Sequence, residues 1–369
     1  MAFRKTRVII NVQNIVDNYL KLKALFKPKV NLLAVVKADA YGHGAVRVAQ
    51  ALEKETNAGF CVATVDEGIE LRENGIRSQI FILGLSNKDS IAPAIQNNLI
   101  LCISSVEQVS LIHKIASDLQ RVAQVHVAIN TGMNRIGLRD KNELKKIVEF
   151  CKTLDSVQII STFTHLAFAD ENYEEIAYIN DFTAQQIREY DSITNIFQLP
   201  RSLANSAGIL RMKDYDFEYA RAGIVMYGYP PVKTSLNLQP ALEWHSEVVN
   251  ITTVHKGETI GYGRSYKAEK DMLIATVAVG YGDGFDRAFS NKGRVIIKNS
   301  IANIVGRVCM DQIMVDITNI SNVTIEDDVI LLGKSQDLQL TAEDLAQTID
   351  TISYEVLLSP SKRVEKIYI

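Results

Sequence analysis

The stretch AVVKADAYGHG, Ala34–Gly44, decides how the rest of this chain is read. Apolar residues Leu32 to Val36 make a strand-like run that ends on a lone lysine, Lys37, just before a loop holding Gly42 and Gly44. Desolvating an unpaired ammonium is costly. Where it does occur, the lysine pKa falls and the amine becomes a nucleophile toward carbonyls. That is Schiff-base chemistry, most often with pyridoxal phosphate. A strand-end lysine reaching into solvent accounts for this segment equally well, so the decision rests on what surrounds it.

From Asn31 to about Tyr229, seven further apolar runs follow the first, separated by helix-patterned stretches such as VEQVSLIHKIASDL. They are AGFCVAT, ending at Thr64, QIFILG at Gly84, LILCIS at Ser104, QVHVAIN at Asn130, VQIISTFTHL at Leu166, FQLPRSLAN at Asn205 and YARAGIV at Val225. Eight consecutive strand-helix units predict an α/β fold, a (β/α)8 barrel, with QNIVDNYLKLKALF as a helix ahead of the first strand. In such barrels the chemistry sits on loops at the carboxyl ends of strands. The unusual polar residues fall there: Lys37 after the first run, Arg135 after the fifth, His165 at the sixth, Ser206 after the seventh, and Arg221 in the eighth.

After Pro230-Pro231 and a polar stretch the pattern changes to alternating segments such as LEWHSEVVNITTV and MLIATVAVGYG with short turns. Residues 236–369 therefore read as a C-terminal, mainly β domain, and residues 1–235 as the barrel domain. One helix is expected from roughly Thr341 to Leu358, with Thr341 as N-cap. The 369 residues suffice for two domains, and a formal net charge of -3 gives no electrostatic hold on nucleic acid or anionic membrane. Cys61, Cys102, Cys151 and Cys309 lie far apart and read as reduced, which points to the cytosol. The start, MAFRKTRVIINVQNI, is too polar for a signal segment, and no stretch has spanning length. No metal-ligand spacing stands out.

A phosphorylated cofactor needs hydroxyl and amide donors, and Ser206 in LANSAG and the turn from Arg221 through Gly223 and Ile224 stand where barrel phosphate sites fall. A helix cap and a plain barrel turn are their ordinary alternatives. Tyr41 adds a hydroxyl four residues past Lys37.

Taken together, AVVKADAYGHG, TGMNRIG (Thr131 to Gly137), FTHLAFAD, LANSAG, RAGIVMYG, GYGRSY (Gly261 to Tyr266), VGYGDGF, GRVCMDQ (Gly306 to Gln312) and TISYEV (Thr351 to Val356) resemble the bacterial alanine racemases over essentially the full length. The resemblance implies a pyridoxal 5'-phosphate enzyme that interconverts L- and D-alanine, supplies D-alanine for peptidoglycan, and works as a homodimer with shared active sites. It implies that Lys37 holds the cofactor covalently and is one of two acid/base groups, the other being Tyr262 from the partner subunit. A basic phenolate, with an ordinary pKa near ~10, requires positive charge or hydrogen-bond donors close by, and His165 and Arg287 are the candidates. Arg221 would face the pyridine nitrogen. Arg135 would contact the cofactor oxygen and the substrate carboxylate. Met310 and Asp311 would approach the substrate, and Tyr354, with Tyr41, Asn205, Ser206, Gly223 and Ile224, would complete cofactor binding. Tyr281 and Tyr354 would narrow the entrance to suit alanine.

One departure stands out. Several relatives carry a carbamylated lysine seven residues before the active-site arginine, where this chain has Ala128, and Asn130 replaces a commoner aspartate. Either a bound anion such as chloride or Asn130 itself is expected to hold Arg135. Three other readings remain open: a racemase of broader specificity, acting for example on serine; a decarboxylase of the same architecture; and a non-catalytic carrier. Decarboxylases of that build place a carboxylate where this chain has Arg221, and a carrier has no need of Tyr262.

Overall fold

The computed structural model describes residues 4–171, 182–212 and 215–369, so Met1 to Phe3 of the N-terminal stretch read above lie outside the described residues. The chain divides into two units. One holds Asn14–Ala40 and Gly44–Gln239; the other holds the residues up to Gln13, Tyr41–His43 and Pro240–Ile369.

The first strand, β1 (Arg7–Ile10), belongs to the second unit. In the first unit, β2 (Asn31–Val35), β3 (Gly59–Val62), β4 (Ile80–Leu85), β5 (Ile100–Ile103), β6 (Ala123–Ala128), β7 (Val157–Phe163), β8 (Arg201–Ser202) and β9 (Tyr219–Ala222) close into a parallel barrel. The ring shuts with β9 beside β2, Asn31 opposite Tyr219 and Ala34 opposite Ala222. Parallel strands covered on both faces read as continuous apolar runs, and ILCI of β5 is buried at every position. Side-chain oxygens then start the helices: Thr64 caps Val65–Glu73, Asn87 caps Lys88–Gln96, Ser105 caps Val106–Asp118 and Asp140 caps Lys141–Lys152, each accepting an amide of the first turn. The last of these helices buries Leu144, Ile147, Val148 and Cys151, the i, i+3, i+4, i+7 stripe of a helix lying on a sheet.

All eight expected strands form, but the seventh is only two residues long. Pro200 has no amide for the ladder and contributes only its carbonyl, which accepts the Thr162 N–H at 2.9 Å. Beyond Leu203 the chain turns at once into the Asn205-capped helix Ser206–Arg211.

The second unit is built on the long strand β10 (Leu242–Val254). Met272–Val277, Ile313–Asp316, Ser300–Ile304, Arg294–Ile297 and Asp328–Ser335 pair in succession from one edge of β10, and Asp328–Ser335 returns to its other part, closing a ring. Trp244 is buried inside it, edge-on to Phe285 with ring centroids 5.8 Å apart.

Two expectations differ from the structure. β1 pairs antiparallel with β10 and parallel with the last strand, Glu365–Tyr368, so the N-terminal residues belong with the β domain rather than with a barrel domain running from residue 1 to 235. The helix expected from Thr341 to Leu358 is two helices, Ala342–Ile349 and Ser353–Leu358. Thr341 does cap the first, in a reciprocal box with Asp344, but Asp350 takes a left-handed conformation (φ 59°) that ends it. β-Branched Thr351 and Ile352 then give the chain no reason to resume the helix at once.

His245 on β10 carries a measurable consequence. Burial opposes its charge, but Nδ1 lies 2.7 Å from Asp328 Oδ2 and Nε2 lies 3.2 Å from Glu243 Oε2, and these carboxylates raise the pKa to about 9. A pKa raised above the unfolded value of ~6.5 contributes stability that is complete below pH ~6.5 and is lost as pH climbs through about 9. Because Asp328 is partly exposed, solvent screening leaves on the order of 1–3 kcal/mol. Denaturant unfolding at pH 6 and pH 10 checks this: His245→Gln should remove a large part of the decline that the unsubstituted protein shows. An equal decline in both proteins overturns it.

Candidate active site

Lys37 is delivered by β2. The strand's pairing continues one residue past its end, with Val36 donating to the Cys61 carbonyl at 2.9 Å, and the backbone then does something the sequence does not announce. Ala38, Asp39, Ala40 and Tyr41 take φ values of 51°, 53°, 54° and 53°, a turn of left-handed helix made without glycine. Such a conformation costs L-residues roughly 1–2 kcal/mol each, so the surroundings must hold it. Ala40 N–H donates to Val36 O (2.9 Å) and Gly44 N–H to Asp39 O (2.9 Å). Ala45 N–H donates to Asp39 Oδ1 (2.8 Å), and Ala38 N–H donates to Glu67 Oε1 (2.7 Å). Gly42 is required where it stands, because at φ 86° a Cβ would lie 2.3 Å from the Leu357 carbonyl oxygen.

The Lys37 amine is half-buried, and its pKa falls below the ordinary lysine value because of burial first and then the Arg135 charge, with Glu67 opposing. His165 is driven further, to about 3, by burial and then by Arg221, Arg135 and Lys37, so it is a neutral imidazole at physiological pH. Arg221 is buried with its guanidinium consumed by the barrel. It donates to Ser202 O (3.0 Å), Ser202 Oγ (2.6 Å), Thr164 O (2.7 Å) and Leu203 O (3.3 Å), and its Cζ lies 5.7 Å from the centre of the Phe163 ring. Neighbouring loops are stitched together in the same way. Asn205 accepts the Gly208 N–H (3.0 Å) and donates to Leu166 O (3.1 Å), while Ser206 Oγ accepts the amides of Gly223 (3.1 Å) and Val225 (3.5 Å), placing buried Ile224 between them. Lys37, Arg135, His165 and Arg221 thus share one electrostatic environment at the carboxyl ends of the strands, as the barrel pattern predicts.

Arg135 lies exposed on the TGMNRIG loop. Asn130 is spent inside that loop: its Oδ1 accepts the amides of Gly132 (3.1 Å) and Asn134 (3.0 Å), and its Nδ2 donates to Asn134 Oδ1 (3.3 Å). The expectation that Asn130 holds Arg135 is therefore not met. Ala128 is buried against Cys102 and Phe163, with Ile136 packed on them, an apolar filling where a carbamylated lysine would stand.

In the other unit, Tyr262 follows Gly261 (φ 73°) in a tight turn and is 71% exposed. The loops of Tyr281 and Met310 are clasped to each other, Tyr281 N–H to Cys309 O (3.0 Å) and Gly282 N–H to Met310 O (2.8 Å). Beneath them lies a network that sequence reasoning missed. Asp283 is fully buried and takes Arg4 Nη2 (2.8 Å) and the Gly280 amide (2.9 Å), while Arg363 Nη2 binds Asp311 Oδ1 (2.8 Å). Nothing in the spacing of Arg4, Asp283 and Arg363 signals it, since the partners are about 80 to 280 positions apart. Tyr41 and Tyr354 place their rings 5.9 Å apart. Arg287 opens a short turn capped by Asp286 and joins no cluster described for Tyr262.

A lysine at the end of the first barrel strand, a buried arginine rather than a carboxylate in the last, and a following β domain fit an amino-acid racemase, an isomerase. Two family models agree, that of the alanine racemase N-terminal domain over residues 10–231 and that of the alanine racemase C-terminal domain over residues 241–368. This chain belongs to the alanine racemase family. It is 38% identical to the alanine racemase of Clostridium tetani over 98% of this chain and 94% of the relative. Among solved structures it matches alanine racemase of Clostridium difficile 630 with a TM-score of 0.92 at 37% identity, covering 100% of this chain and 97% of the other. Alanine racemase of Bartonella henselae with covalently bound pyridoxal phosphate matches at 0.88 and 29%, covering 99% of each chain. A histidine racemase of Leuconostoc mesenteroides matches at 0.89 and 27%, covering 100% and 99%.

Proposed function

We propose that this chain interconverts L-alanine and D-alanine with pyridoxal 5'-phosphate on Lys37, in a homodimer whose sites draw on both subunits, and that it supplies D-alanine for peptidoglycan in the cytoplasm. The residues suit that cofactor: an amine with a depressed pKa, the Ser206 hydroxyl held against the Gly223–Val225 turn, and a permanent cation at Arg221 where a carboxylate would favour decarboxylation. Tyr41, Asn205 and Tyr354 join the holding set. When bound, the cofactor makes the substrate Cα proton acidic; the chain moves the proton.

Racemisation takes a proton from one face of Cα and returns one to the other. Lys37 works on one face because its lowered pKa leaves a larger share of free amine at neutral pH. Tyr262 of the partner subunit works on the opposite face, and its exposure suits a group that acts across an interface. His165, being neutral, assists as a hydrogen-bond donor rather than as a charge. Arg135, Met310 and Asp311 engage the substrate carboxylate end, and Tyr281 restricts the entrance. The observation that carries the reading is the placement of Lys37 at the end of β2 and of Arg221, buried and held by four hydrogen bonds, in the adjoining strand β9.

Incubation with pyridoxal phosphate and L-alanine in deuterated water is the test. D-alanine carrying deuterium at Cα is expected, and absence of both exchange and inversion overturns the assignment. The similarity to a histidine racemase is the reason to assay serine and histidine in parallel; alanine is expected to be preferred. Arg135, with Asn130 spent elsewhere, is held by a small anion such as chloride. Replacing chloride by gluconate should lower kcat/KM for alanine by severalfold, with recovery on adding chloride back, and an unchanged rate removes the anion.

A further inference from the structure

Glu67 lies in the first turn of the helix that follows β3, and its bond to Ala38 reaches beyond that helix. A capping box asks one carboxylate oxygen to reach back to the N-cap amide, and here Oε2 does so, accepting Thr64 N–H (3.2 Å) and also Ala63 N–H (2.7 Å). The other oxygen leaves the helix altogether. Oε1 accepts the amide of Ala38 at 2.7 Å, on the neighbouring strand's end and directly after Lys37. Capping alone does not call for that bond.

We propose that Glu67 is a positioning residue for Lys37: its half-buried carboxylate ties the amides of Ala38, Ala63 and Thr64 together and thereby fixes the left-handed turn from which the Lys37 side chain departs. Three amide donors on one carboxylate are charge-assisted bonds, stronger than neutral ones, and they act where the backbone has least reason to stay. Charge works in the same direction. The titratable groups acting on Lys37 are Arg135, Glu67, Cys61 and Arg221; the two arginines favour loss of its proton, and Glu67 comes ahead of Cys61 among the groups that oppose them. Glu67 therefore also sets how readily the amine is freed. The inference rests on Lys37 being the cofactor-bearing and proton-transferring residue.

The test compares Glu67→Gln with Thr64→Ala in the full-length protein. Glutamine keeps the size but puts an NH2 group against at least one amide donor and removes the charge. Thr64→Ala loosens the same helix end and leaves Glu67 in place. The Lys37 titration midpoint, read in cofactor-free protein by pulsed acetic anhydride labelling and peptide mass analysis, should move to lower pH in Glu67→Gln and stay put in Thr64→Ala. Both variants should melt at lower temperature. Half-saturation by pyridoxal phosphate should rise roughly tenfold in Glu67→Gln alone, the loss of one charge-assisted bond. If the two variants share the unsubstituted protein's Lys37 midpoint and cofactor affinity, Glu67 is only a helix cap and the inference fails. If borohydride reduction with pyridoxal phosphate fails to mark Lys37 in the unsubstituted protein, it is the functional reading that falls instead.

Discussion

Lys37→Ala is expected to leave a folded protein with no measurable racemisation in either direction, a loss of roughly 10⁴-fold or more, because in the proposed mechanism it removes both the cofactor's covalent anchor and one of the two proton-transfer groups. The side chain is half-buried with a desolvated amine, so its removal relieves rather than strains the barrel mouth, and the melting temperature should stay within a few degrees. Coupled assays started from L-alanine and from D-alanine, together with borohydride labelling, read the two losses separately. Residual activity above a hundredth of the starting rate, with labelling moved to another lysine, overturns the assignment of Lys37.

Tyr262→Phe is the complementary case. The phenyl ring stays and only the hydroxyl of an exposed residue goes, so neither fold nor cofactor attachment should change. Racemisation should fall by roughly 10²–10⁴-fold, the usual worth of a positioned acid or base. The residual chemistry is informative: with Lys37 intact, one enantiomer should still exchange its Cα proton with solvent, without inversion. If Tyr262 of the partner subunit serves each site, as proposed, mixing Lys37→Ala with Tyr262→Phe under conditions of subunit exchange should rebuild one intact site per hybrid dimer. Random pairing in a two-fold dimer gives recovery of roughly a quarter of the original activity. A fully active Tyr262→Phe, or no recovery when exchange is demonstrated, removes the proposed role.

The barrel was legible because burial on both faces writes each strand as an apolar run, and because Thr64, Asn87, Ser105 and Asp140 mark helix starts by their side-chain chemistry. Lys37 was legible for the converse reason, a charge at the end of such a run. The left-handed turn was not, since Ala38, Asp39, Ala40 and Tyr41 have no local preference for it and are held there by Glu67 and Val36 from outside. Nor was the place of β1, whose partners lie more than 230 residues away. Asp283 escaped notice because its two arginines come from opposite ends of the chain.

The placement of β1 also bears on how the protein is made. Residues 7–10 leave the ribosome before the barrel, but β10 and the strand Glu365–Tyr368 that flank them come only after it. At about 5–20 residues per second, β1 waits roughly ten seconds or more without a partner. In sequence, most of the barrel lies between the two ends of the β domain. Short C-terminal truncations should therefore cost far more than their length suggests, because Glu365–Tyr368 is the last piece that gives the first strand its second neighbour.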